Sequence, residues 1–403
     1  MELGARQDQC CRAEVCVVSM SGSRQAILHI GAPKAGSSSI QGFLKANYIH
    51  WKSFGVLAPG MTGAKVGLNH RSLYFAFHKG SISRVDRMRF RSELDYAEHR
   101  QLQRKLVSAE LKSHAFCETL IFSDEYLTRL DRESVHELRC FLEDHGVEKF
   151  LILAYVREPG SLFLSSAQQS IKAHHELPTP IGWKHEFSEV LSVWKSIFPE
   201  AVLFRPYERE ALKNNSVVDD FLDATASINP FLNLEDKSLA MGHSPQNLSL
   251  TAEGMALLLD YRRAFHRDRG NAFTPDTRQL ILCLQECAAS QESQRARLRP
   301  AWRQYIEACH AAELLKLADH YGLRYGGIDY EKLVTYADGR EPSPPAAVET
   351  SLQGGMGDVA QVVDSISPSS YAKLSLLVLH KMAHKAAENS KLKRALKEQS
   401  SQP

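Results

Sequence analysis

Ala26-Ile-Leu-His-Ile-Gly-Ala-Pro-Lys-Ala-Gly-Ser-Ser-Ser-Ile-Gln41 is the stretch from which the rest of the chain is read. Ala26 to Ile30 is a short apolar run of the kind that forms a buried strand. A Gly/Pro turn with one lysine, Lys34, follows it. Ser37, Ser38 and Ser39 can then open a helix whose Ile40, Phe43 and Leu44 recur at i, i+3 and i+4. Strand, glycine turn and helix start bring unpaired backbone N–H groups and the positive end of a helix dipole to one point. Lys34 adds a full charge there, and the serines add hydroxyl donors. Such a stretch suits a phosphate or a sulfate.

Further along, strands alternate with helices. Thr119 to Phe122 reads as a second strand and ends in Ser123-Asp124-Glu125. Asp131 can cap the next helix, with Val135, Leu138, Phe141 and Leu142 as its apolar stripe, and Gly146 stops it. Phe150 to Val156 is nearly continuous in apolar residues, as a parallel strand covered on both faces should be, and it ends at Arg157. Pro159 suits the first turn of the following helix. A fourth strand falls at Val202 to Phe204, and helices are expected over 187–197, 217–222, 252–265, 276–289 and 302–321. This spacing predicts an α/β fold built on a parallel sheet, with a helical C-terminal part. Leu73 to Leu111 reads as a charged, solvated helix with Leu102 and Leu106 on one side.

The 403 residues divide, on composition, into a disordered N-terminal extension over 1–25, one domain over 26–330, a Pro/Ser/Gly/Ala-rich flexible linker over 338–370 and a helix over 371–398 with a basic end. That helix could meet a partner or stay a docked or free tail. With 43% apolar and 24% charged residues the chain can bury a sizeable core, and a formal net charge of only +2 argues against nucleic-acid binding through a broad basic surface. Any anion site must therefore be local. Of eight cysteines, only Cys283 and Cys287 have helical ligand spacing, and without a second pair they read as buried or free thiols. Cysteine usage fits a reducing compartment. No run of 18 apolar residues occurs, so no transmembrane segment is expected, and the default location is cytoplasmic.

Gly31-Ala-Pro-Lys-Ala-Gly-Ser-Ser is not the common nucleotide P-loop, in which lysine follows the second glycine. The order Pro-Lys-x-Gly-Ser-Ser after a strand instead resembles the 5′-phosphosulfate loop of sulfotransferases that use 3′-phosphoadenosine 5′-phosphosulfate (PAPS), and it is most similar to bacterial-type members. The resemblance spans roughly residues 26 to 325 and includes an arginine at a strand end, Arg157, with a helical serine eight positions on, Ser165. Val202-Leu-Phe-Arg-Pro-Tyr-Glu-Arg209 and Asn247-Leu-Ser-Leu250 match more weakly.

The resemblance implies a three-layer sheet with P-loop-NTPase-like topology and sulfuryl transfer, without a metal, to a hydroxyl or amine of a carbohydrate or small-molecule acceptor. It implies that Lys34, Gly36, Ser37, Ser38 and Ser39, with the backbone N–H of Ala35, hold the 5′-phosphosulfate, and that Arg157 and Ser165 hold the 3′-phosphate. A guanidinium suits phosphate by two parallel hydrogen bonds. For the base, Glu125 stands where open parallel sheets place their ligands, although it or Asp124 could equally cap the next segment. His70, in a polar loop, is the second candidate base. A nucleotide kinase or ATPase, and a non-catalytic binding protein of the same fold, remain the rival readings.

Overall fold

The computed structural model describes residues 23–60, 69–80, 89–229, 232, 249–269, 272–289, 295–337 and 342–399. Most of the N-terminal extension, with Cys10, Cys11 and Cys16, lies outside them, as does Asn247. In chain order the first part runs β1 (Arg24–His29), α1 (Ser37–Ala46), α2 (Tyr48–Ser53), β2 (Val56–Leu57), α3 (Arg71–Phe77), α4 (Glu93–Ser113) and β3 (Thr119–Ser123). It continues through α5 (Arg132–Glu143), β4 (Val147–Val156), α6 (Pro159–Ser170), α7 (Ser188–Ile197), β5 (Val202–Pro206) and α8 (Val217–Thr225).

These strands form one five-stranded sheet in the order β2-β3-β1-β4-β5, and every neighbouring pair is parallel. Parallel neighbours require crossover connections, which the intervening helices supply. The α/β expectation is met. β1, the strand that feeds the opening stretch, lies at the centre with Ala26, Ile27 and Leu28 fully buried. Arg24 at its start is also buried, and its guanidinium donates to the carbonyls of Leu111, His114, Cys117 and His145, tying α4 and the ends of the neighbouring segments to the sheet. Asp131 caps α5 as expected, accepting from Ser134 N–H at 2.8 Å.

The second part is α9 (Ala252–Phe265), α10 (Pro275–Ala289), β6 (Arg297–Leu298), α11 (Pro300–Cys309), α12 (Ala311–Tyr321), α13 (Tyr330–Ala337), α14 (Gly354–Val362), β7 (Val363–Asp364) and α15 (Pro368–Gln399). Its core joins Phe163, Ala167 and Ile171 from α6 and its terminal turn to apolar residues of α9, α10, α11, α14 and α15. Helix α6, which follows β4 directly, thus packs into the core of the helical part. Cys283 and Cys287 are buried in α10 and form no disulfide.

Two expectations need correcting, and a third is narrowed to one of its alternatives. Leu73 to Leu111 is not one solvated helix: α3 is buried along Leu73 to Phe77, and α4 turns Tyr96, Val107 and Leu111 inward while Leu102 and Leu106 stay about half exposed. The supposed linker over 338–370 contains α14 and β7, and β7 pairs antiparallel with β6. Its glycines reflect close packing: a Cβ on Gly355 would strike the carbonyl of Ala256, and the Gly355 N–H donates to Asp260 Oδ1 at 2.6 Å. Backbone laid against helix α9 needs glycine for the same reason a linker tolerates it. The last helix, α15, is docked through Leu374 and Val378, and Glu286 of α10 pairs with its Lys381 and Lys385.

Candidate functional site

The loop after β1 is pinned to the neighbouring strand. Ile30 N–H donates to Leu153 O at 2.9 Å and Ala32 N–H to Tyr155 O at 3.2 Å, both in β4. Lys34 and Gly36 then take left-handed backbone conformations, at φ 64° and 82°. Only glycine fits the second position. A Cβ there would lie 2.9 Å from both the Tyr207 ring and Val217 Cγ1, so the segment after β5 and the start of α8 press directly on the loop.

The loop's N–H groups divide into two sets. Ala35 N–H turns inward to Ala32 O at 3.3 Å, and Ser39 N–H makes the first helical bond to Gly36 O at 2.9 Å. Those of Lys34, Gly36, Ser37 and Ser38 have no hydrogen-bond partner among the described residues. Helix α1 starts without a side-chain cap and without an acid in its first turn, so its positive end is uncompensated. The Ser37 hydroxyl is buried and unpartnered, whereas Ser38 and Ser39 are exposed. The expectation for Ala35 is thus corrected: its N–H closes the loop and is not free to hold a ligand.

Three cations converge on this loop. Lys34 Nζ donates to Gln169 Oε1 at 3.0 Å, and Lys172 Nζ, from the turn that ends α6, donates to the same oxygen at 3.3 Å. Arg157 Nη1 donates to Lys34 O at 3.1 Å and Nε to Ser161 Oγ at 2.8 Å, with its guanidinium 5.6 Å from the centre of the Tyr207 ring. Burial pushes the Lys34 pKa down; the Glu125 charge opposes the shift, and the Arg157 charge adds to it. Arg157 bonds Ser161 rather than Ser165, and Ser165 lies one turn further along α6 on the same face. That face reads Ser161, Ser165, Gln169, Lys172 at helical spacing. The sequence carried this spacing, but of the four positions the sequence reading assigned a role only to Ser165.

At the end of β3 the two carboxylates separate in role. Asp124 Oδ1 caps the following turn by accepting from Tyr126 N–H at 2.8 Å, and its Oδ2 pairs with Arg71 Nε at 2.8 Å. Glu125 makes no side-chain hydrogen bond or ion pair with any described residue. Its pKa is raised, first by burial and then by the Asp124 charge, while Arg71, Lys34 and Arg129 oppose the shift. Of the two, Asp124 is the cap and Glu125 is the free carboxylate.

His70 is not a loop histidine exposed to the site. It is 2% exposed, and its Nδ1 accepts Ser123 N–H at 2.8 Å, which puts the ring proton on Nε2. Neither nitrogen is then a free base, and burial pushes its pKa down to about 4. Its candidacy as a base is withdrawn on that geometry. A second buried histidine, His29 at the end of β1, was missed by the sequence reading. Its Nδ1 meets Ser123 Oγ at 2.8 Å, and burial pushes its pKa down to about 3. Ser123 thus holds both rings beneath the loop.

Compared with protein-family models, with curated proteins and with solved structures, the chain finds no match. The site is accordingly read from its own geometry. Among the described residues no group of three or more His, Cys, Asp or Glu could hold a metal ion, and no helix is long and apolar enough to cross a membrane. A cleft of about 390 Å³ lies at the β2 edge, lined by Arg71, Arg89, Asn69, Ser72, His99 and Gln103 among others, with no acid among the described residues of its lining. Arg71 links this cleft to Asp124 and so to the strand end that carries Glu125.

Proposed function

We propose that the chain is a PAPS-dependent sulfotransferase with a P-loop-like arrangement of its sheet. The observation that carries this reading is the loop between β1 and α1. Four N–H groups and the Ser37 hydroxyl, all without a partner among the described residues, together with an uncapped helix start and Lys34, would serve one anion. The strand order, with the loop leaving the central strand, supports the same topology. Arg157 and the serine face of α6 favour a second anion nearby, as a nucleotide bearing both a 5′-phosphosulfate and a 3′-phosphate would present. The donor supplies the sulfuryl group and a phosphate leaving group.

The residues would divide the work as follows. Lys34 and the N–H groups of residues 34 and 36–38 hold the phosphosulfate and neutralise charge on the bridging oxygen. Arg157, with Ser161 and Ser165, orients the 3′-phosphate by charge-assisted hydrogen bonds. An acceptor entering from the Arg71 side brings its hydroxyl to Glu125. Its oxygen attacks sulfur as the S–O bond to the 5′-phosphate breaks, the bond electrons leave with adenosine 3′,5′-bisphosphate, and the proton passes to Glu125. Because charge shifts from sulfuryl to phosphate oxygens already lying against fixed donors, positioning and electrostatics carry the acceleration. A buried carboxylate with a raised pKa is the better base, since its conjugate acid lies closer to neutral pH.

The test is nucleotide preference followed by transfer. The full chain should retain adenosine 3′,5′-bisphosphate in preference to ATP with Mg²⁺, and should move label from ³⁵S-PAPS to at least one member of a panel of carbohydrate and small hydroxylated acceptors. Preference for ATP with Mg²⁺ would remove the sulfotransferase reading.

A further inference from the structure

The proposed loop supplies one lysine, yet a phosphosulfate carries two negative charges. Lys172 stands where the second charge needs a partner. Its ammonium and that of Lys34 both donate to Gln169 Oε1, at 3.3 and 3.0 Å, so two cations share one neutral amide oxygen. Lys172 has no ion pair among the described residues. Burial and the charge of Lys34 both lower its pKa, the mark of an ammonium held beside another cation without a counter-ion. Like charges at such range repel unless an anion lies between them.

Resting on the sulfotransferase reading, we infer that Lys172 is a second ligand of the donor's phosphosulfate, and that Gln169 holds both lysines when no anion is bound. The α6 face orders the contacts. Ser161 meets Arg157 in the first turn, Ser165 follows in the second, Gln169 in the third, and Lys172 closes the row beyond the helix end. The guanidinium end of this row serves the 3′-phosphate, and the ammonium end serves the sulfuryl group beside Lys34. When the anion enters, the two ammonium groups exchange a shared neutral acceptor for charged oxygens, and the repulsion between them becomes joint attraction.

The test separates the two ends of the donor by calorimetric titration of the full chain with two probes. Adenosine 5′-phosphosulfate has the phosphosulfate and lacks the 3′-phosphate; adenosine 3′,5′-bisphosphate has the 3′-phosphate and lacks the sulfuryl group. Lys172→Met should weaken adenosine 5′-phosphosulfate at least tenfold and the bisphosphate less than threefold, with Lys172→Arg restoring most of the loss. Arg157→Leu should show the reverse pattern. Unchanged affinity of Lys172→Met for the phosphosulfate overturns the inference, as does equal weakening of both probes with a lowered melting temperature. If the wild-type chain binds neither nucleotide, the sulfotransferase reading itself fails, which is a different result from a wild type that binds both and a Lys172 variant that behaves like it.

Discussion

Acidification should destabilise this protein through the two histidines buried beneath the loop, and the size of the effect follows from their environment. His29 is fully buried and His70 is 2% exposed, and burial holds their native pKa values at about 3 and about 4. In the unfolded chain each ring titrates near its ordinary value of about 6.5. Below that pH the unfolded chain therefore binds more protons than the native one, so stability falls as pH falls, and the loss continues until the native rings themselves protonate. At pH 5 the unfolded rings are almost wholly charged and the native rings almost wholly neutral. About 1.5 pH units at about 1.36 kcal/mol per unit gives about 2 kcal/mol for each ring relative to pH 8. Urea unfolding at pH 8, 6.5 and 5 measures the loss, and single replacements assign it. In His70→Asn the amide oxygen can still accept Ser123 N–H, and in His29→Asn the amide can still meet Ser123 Oγ. Each variant should be less stable than wild type at pH 8 but should lose about 2 kcal/mol less between pH 8 and pH 5, and the double variant about 4 kcal/mol less. Comparing variants cancels the titration of every other group. If both single variants lose as much as wild type over that interval, the rings are not held neutral and the reasoning fails.

Glu125→Gln should lower sulfuryl transfer by about 10²- to 10⁴-fold while leaving adenosine 3′,5′-bisphosphate affinity within threefold, measured by single-turnover transfer and titration calorimetry. In the wild type, activity should fall with decreasing pH as Glu125 takes up a proton, with the acid limb above the ordinary glutamate range because its pKa is raised. Gly36→Ala combines a left-handed backbone, about 1–2 kcal/mol, with overpacking against Tyr207 and Val217, about 1–3 kcal/mol; it should lower the melting temperature and abolish nucleotide retention. Asp220 of α8 accepts from the buried Tyr155 Oη at 2.7 Å and pairs with Arg205 at 3.0 Å; Arg205 is partly exposed and keeps Asp223 at 3.8 Å, so Asp220→Ala should cost about 1–3 kcal/mol in urea unfolding, chiefly by stranding the Tyr155 hydroxyl.

What the sequence revealed was local, and what it hid was set by distant neighbours. The strand, the turn and the first helix are spelled out within sixteen consecutive residues, Ala26 to Gln41, and their periodicity needs no partner to be recognised. Arg157 was legible because it follows an apolar strand and precedes a proline that starts a helix. Ala35 was misjudged because the direction of its N–H depends on Ala32 being drawn to Tyr155 of another strand. His70 was misjudged for the same kind of reason: its polar flanks describe a loop, but Ser123, fifty-three positions on, buries it. Gln169 and Lys172 sit on a helix whose spacing was readable, yet their meaning appears only when Lys34 is laid along that face. The glycines of α14 show that composition alone does not separate a linker from close helix packing.

The pairing of Asp124 with Arg71 shows how, of two acids at the end of β3, one can be left without a structural side-chain partner. Strand ends in a parallel sheet leave backbone groups that need caps, and a carboxylate placed there usually spends both oxygens on them. Here Asp124 meets the whole requirement: one oxygen caps the turn and the other holds Arg71. The adjacent Glu125 side chain then has no hydrogen bond or ion pair among the described residues, while its backbone stays fixed in the capped turn, its carbonyl accepting from Thr128 Oγ1 at 2.6 Å. The charges of Arg71, Lys34 and Arg129 lower its proton affinity, but burial and the Asp124 charge outweigh them and keep it above that of an ordinary glutamate. A lone base would need a separate device to hold it in place. In the proposed site, two successive acids, one bound and one without a side-chain partner among the described residues, would supply both functions from a single strand end.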